Sequence, residues 1–361
     1  MMNKRDLLER AFYNSYNPER SKGNMEKLTR HANEKNVNVF DTHVLEESVK
    51  SREYIHKILY DSLINSVKED YNLPTDFEVS TIFRDREDFN ANMEREISQS
   101  NEYIIFVDDL LDTFVFRLST VLLYWNDFIK DHDVWTCCFM YTLYTLTEFG
   151  VHRVRPACPR WIYEMQIEML TYSDRASHLY ADVASIIMSF VIAHELGHFV
   201  LGHHDSAERS IEAEFAADDF AYKVILSLIE KQSKHISVKG ERPEIDMYSD
   251  YTYLAPLMFF DFMQLLEHFS NAVYNDYSRK NITAELNMRK EHLEEWVFNS
   301  PNIYDFETDG GNAVYNATLS SIERFMSEVD LKLQRGKNLI PEVHITSHVA
   351  TSESERVPTS E

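Results

Sequence analysis

The amino-acid sequence predicts a mainly α protein (α+β) with one small sheet. Three observations carry this. Glycine and proline are scarce, 8 and 9 of 361 residues, so tight hairpins are few. Apolar residues recur at three- and four-residue spacing over several long segments, the period of a helix face. One run, Tyr103 to Val107, is rich in strand-forming residues. With 44% hydrophobic content, the chain can bury a substantial core.

Residues 1–35 are polar and charged and read as helical, and 45–70 as an amphipathic helix. Tyr103–Val107 is a strand, either at a sheet edge or buried within the sheet. Residues 113–150 form one or two buried helices. A basic, proline-containing connector, HRVRPACPRW, covers 152–161 and either lines a cleft or joins two elements at the surface. A long helix follows, marked by Leu179, Val183, Ile186, Ile187, Phe190 and Val191, with Gly202 as its stop. The segment AERSIEAEFAADDFAYKVILSLI gives the next helix. Residues 251–275 form another apolar helix, expected to pack under the site that these two helices carry, and 280–297 and 316–335 are further helices. The tail lacks apolar periodicity, which predicts mobility; His344 and His348 there read as solvated. The organisation expected is a helical N-terminal extension over 1–95, a main domain over 96–335 and a flexible tail over 336–361.

Residues 194–198 read HELGH, an instance of H-E-x-x-H. Four residues span about 400° of helix, so His194 and His198 share a face and can hold one metal ion. Glu195 lies beside them, within reach of a water. The pentapeptide alone also fits an amphipathic helix carrying two solvated histidines. Its setting argues otherwise, because a buried helix makes two uncompensated imidazoles costly. Downstream, Glu214 and Asp218 form E-x-x-A-D and also share a face. Glu214 can complete a His/His/Glu site that leaves a fourth position open. Asp218 can accept a hydrogen bond from the far nitrogen of a ligand histidine. Ala216 and Ala217 are small enough to let the two helices approach closely. His203 and His204 follow the first helix, where a helix-end or cleft-rim position fits better than ligation.

The pair AHELGHFVLGHH and EFAADDFA resembles the gluzincin metallopeptidases, and most nearly the cytosolic bacterial peptidases related to the Lit phage-exclusion protein. The resemblance is specific over residues 180–225. It implies a zincin-like fold with a small edge sheet, so that 96–335 would be the catalytic domain. It also implies Zn2+ held by His194, His198 and Glu214, and Glu195 as general base. A protein substrate and a defence role follow from the same likeness. Zincins bind extended substrate along an edge strand beside the metal helix, and Tyr103–Val107 is the candidate for it. Many relatives carry a later histidine with an arginine about six residues on. Here Arg289 matches the arginine, with oxyanion support as its expected role, while Thr283 stands where the histidine would be.

A net charge of −24 argues against nucleic acid or anionic membrane as a partner. Three cysteines, Cys137, Cys138 and Cys158, with no C-x-x-C, suggest a reducing compartment. The N-terminus shows no apolar core of a secretory signal, and no segment reads as a membrane span, so a cytoplasmic protein is expected. The sequence leaves the oligomeric state open. It also leaves a rival reading, a metal-stabilised binding or regulatory protein without turnover, against which an intact Glu195 argues.

Overall fold

In a computed structural model, the described residues are 60–74, 76–84, 91–95, 102–125, 139, 143, 176–203, 210–239, 253–274, 280–299 and 309–334. They form the mainly helical fold with a small sheet that the sequence predicts.

A helical stretch at residues 60–70 precedes three strands, β1 (Glu78–Arg84), β2 (Ala91–Arg95) and β3 (Glu102–Asp108). Their order in the sheet is β1-β3-β2. β1 runs parallel to β3, with Glu78 opposite Glu102 and Arg84 opposite Asp108. β2 runs antiparallel to it, from Ala91 opposite Val107 to Arg95 opposite Tyr103. Along β3 the alternate residues Tyr103, Ile105 and Val107 face the core. Both backbone edges of β3 are thus already paired. Tyr103–Val107 is the buried structural strand of the two alternatives, and the edge beside the next long helix belongs to β2. The boundary expected at residue 95 passes between β2 and β3, two strands paired in one sheet.

Helix α1 (Asp109–Ser119) follows β3 directly and continues as a π-helical turn over Thr120–Trp125. Helix α2 (Ala176–Val200) is the centre of the fold. From Val183 to His194 every residue is buried, as expected of a helix that is apolar all round. Val183–Val200 is long and apolar enough to cross a membrane, yet most of it is covered by the rest of the protein. Phe77, Tyr103 and Phe199 form an aromatic cluster, with ring centroids 4.3–5.3 Å apart, that seats the sheet against the end of α2.

Helix α3 (Ile211–Lys239) starts at a serine cap: Ser210 Oγ accepts from the Ala213 amide at 3.2 Å. Glu212 and Glu214 in its first turn suit the positive end of the helix dipole. It lies close along α2 at Gly197. A Cβ built there would meet Phe220 Cδ1 at 3.0 Å and Ala217 Cα at 3.3 Å. Helices α4 (Ala255–Tyr274), α5 (Lys280–Asn299) and α6 (Asp309–Gln334) complete the bundle. They realise the helices expected at 251–275, 280–297 and 316–335, with α6 beginning earlier. α4 packs on α2, α5 and α6, and α5 also packs on α3. A buried polar knot joins the last three: Lys290 Nζ lies 2.6 Å from Asp261 Oδ1, and Tyr315 Oη donates to Asp261 Oδ2 at 3.2 Å. Residues 1–59, the connector 152–161, the three cysteines, His204, His344, His348 and the tail lie outside the described residues, so the expectations for them do too.

Candidate metal centre

Helix spacing places His194 and His198 on one face of α2, and the close approach at Gly197 brings the start of α3 beneath them. His194 Nε2 and His198 Nε2 are 3.0 Å apart. Glu214 Oε2 is 3.3 Å from the first and Glu214 Oε1 is 3.5 Å from the second. A zinc ion with bonds of about 2.0–2.1 Å in tetrahedral geometry separates its ligand atoms by roughly 3.3 Å. The donor set therefore fits such an ion without rearrangement. It is the one His/Cys/Asp/Glu grouping of metal-binding shape found among the described residues. Solvated histidines do not describe this arrangement, since His194 is 8% and Glu214 6% exposed.

Behind the donors lies a charged layer. Asp218, fully buried, places Oδ1 at 2.9 Å from His194 Nδ1. Arg289 on α5 donates through Nε and Nη2 to the two oxygens of Asp218, at 2.8 and 2.7 Å. Its Nη1 lies 3.0 Å from Glu214 Oε2, and its guanidinium sits over the Phe260 ring. The expected role of Arg289 at an oxyanion meets a different geometry. Two of its nitrogens are turned to Asp218, behind His194, and the third to Glu214 Oε2, one of the donor oxygens, so the contacts shown are to carboxylates of the site itself.

The electrostatics follow from this layer. Burial pulls the His194 pKa down, but the charge and hydrogen bond of Asp218 and the hydrogen bond of Glu214 outweigh it and raise it to about 9. Burial pushes the Glu214 carboxyl up, yet hydrogen bonds from His194 and His198 and the charge of Arg289 hold it well below the usual range. Asp218 is treated alike: burial raises it, and Arg289 and His194 lower it further. Burial would lower Arg289, but its two carboxylate partners raise it instead. Both carboxylates are thus ionised and the arginine is charged. A divalent cation at the donors would displace the His194 proton.

Glu195 Oε2 accepts from the Met93 amide of β2 at 3.2 Å. This contact had no signature in the sequence, because a backbone amide has none. A second unanticipated contact joins His198 Nδ1 to His203 Nδ1 at 3.1 Å. The signal for it was present in Gly202, whose φ of 76° turns the chain back at the end of α2.

Residues 151–275 match the family model described as Peptidase U49. No curated protein and no solved structure gave a significant match. The matched span contains His194, Glu195, His198, Glu214 and Asp218 and ends before Arg289. The match supports a peptidase, with a protein as substrate, and the His194, His198 and Glu214 grouping within it is compatible with zinc.

Proposed function

We propose that the protein is a zinc-dependent endopeptidase of the cytoplasm, with a defence or regulatory role. The observation that carries the zinc reading is the triangle of Nε2, Nε2 and carboxylate oxygen with sides of 3.0, 3.3 and 3.5 Å. His194, His198 and Glu214 would hold the ion. When bound, zinc supplies Lewis acidity toward a carbonyl and a water. Asp218 keeps the His194 proton on Nδ1, so that Nε2 offers its lone pair. Arg289 keeps Glu214 and Asp218 ionised and fixes both in place. Glu195 takes a proton from the attacking water and passes it to the leaving amine. Its anchor on the Met93 amide orients that carboxylate. Among the described residues β2 has no strand on its outer side, so it replaces Tyr103–Val107 as the strand with which an extended substrate would pair. The cytoplasmic setting and the defence role rest on the resemblance and composition alone.

Two measurements test this reading. Elemental analysis should give about one zinc per chain, lost in His194→Ala and His198→Ala. Glu195→Gln should keep zinc and thermal stability but reduce proteolysis by several orders of magnitude, read by N-terminal proteomics of expressing cells. Full biological activity in Glu195→Gln would instead favour a metal-stabilised binding protein without turnover.

A further inference from the structure

We infer that His203 is a positioning residue for His198, the acceptor that holds the His198 proton on Nδ1. The inference rests on the zinc reading above and goes beyond it by giving each ligand histidine its own orienting partner.

Each ligand ring turns Nε2 toward the other ligands, which leaves Nδ1 as its rear nitrogen. A neutral imidazole that gives its Nε2 lone pair to an ion carries its hydrogen on Nδ1. On His194 that hydrogen meets Asp218. On His198 the facing atom is His203 Nδ1 at 3.1 Å, with the two rings crossing at 64°. Two ring nitrogens at this distance need one donor and one acceptor. If His198 donates, His203 accepts, and its own hydrogen is on Nε2.

The backbone makes this contact available. The Leu201 amide closes on Gly197 O at 2.9 Å, and the Gly202 amide closes on Phe199 O at 3.0 Å. Gly202 then adopts a φ of 76°, a left-handed conformation that glycine enters without strain. The reversal lays residue 203 back over the last turn of α2, where His198 stands. His203 is half-buried there, so its ring is not simply a solvated end of the helix.

The test is zinc competition against a chromophoric chelator at one fixed pH, on the full chain and its variants. His203→Ala should weaken zinc binding by about 10–100-fold. His203→Gln, whose side-chain carbonyl accepts a hydrogen bond, should recover most of that loss. The chelator-treated forms of all three proteins should melt at the same temperature, which a merely structural role would not allow. Wild-type affinity in His203→Ala overturns the inference. So does a His203→Gln no better than alanine, or a metal-free melting temperature that falls with the affinity. If the wild type takes up no zinc, the zinc reading fails as well; if it takes up zinc and His203→Ala binds equally, only this inference fails.

Discussion

His194 and His198 stand one turn apart on the same helix, yet their surroundings differ. His194 is buried, and its rear nitrogen faces a carboxylate gripped bidentately by Arg289. His198 is nearer the surface, and its rear nitrogen faces another ring carried by the end of its own helix. The inner histidine is therefore placed by charges drawn from α3 and α5 together. The outer one is placed by a local chain reversal. Removing a member of the inner set strands a charge in the interior, so it damages folding and metal binding at once. Removing His203 strands no buried charge, so it should weaken metal binding and leave folding unchanged.

The largest expected effect separates the two halves most directly. From sequence alone, Asp218→Ala should keep the fold and weaken zinc or activity by about 10–100-fold. The pairing with a buried arginine adds a folding term. The variant leaves Arg289 without its main partner, which costs about 3–5 kcal/mol. Denaturant melts of the metal-free protein should register that loss, and Asp218→Ala with Arg289→Met should recover part of it. An unchanged melt in Asp218→Ala would erase the distinction between inner and outer halves.

A smaller effect is expected on the outer side. Gly202→Ala places a side chain at φ 76° and should cost about 1 kcal/mol in stability. Because His203 depends on this turn, the same variant should weaken zinc binding in the chelator assay. A loss of stability with undiminished zinc affinity would show that the reversal does not serve His198.

The smallest effect concerns the knot that anchors α5, and with it Arg289. Burial raises the Asp261 pKa to about 6, although Lys290 and Tyr315 pull it the other way. A carboxyl whose pKa is raised on folding disfavours the fold once ionised. Its contribution is least unfavourable below the ordinary value near 4 and worsens as pH climbs through 6. Asp261→Asn should flatten this part of the stability profile, followed as melting temperature between pH 4 and 7. If the slope survives the substitution, another group sets it.

What could be read in the sequence was local. His194 and His198 are four residues apart on one helix, and Glu214 and Asp218 four apart on the next, so periodicity alone puts each pair on one face, and the structure brings the two faces together. Arg289 was legible as a candidate but not its partners, because nothing local says which carboxylates a residue on α5 will meet. The sequence left Tyr103–Val107 open between a sheet edge and a buried strand for the same reason. Tyr103–Val107 has the composition of a strand, but strand order depends on β1 and β2, whose pairing no short pattern records. Gly202 announced a helix end; that the turn would fold a ring onto His198 depended on how tightly it closes.

The three candidate ligands belong to consecutive helices, α2 and α3, whereas Arg289 lies 71 residues beyond Asp218. Translation at about 5–20 residues per second separates their emergence by several seconds. The donor hairpin is thus complete on the growing chain before its guanidinium counter-charge has been made. Until Arg289 is made, Glu214 and Asp218 lack the guanidinium that pairs with both in the finished protein, and His194 is left to offset them.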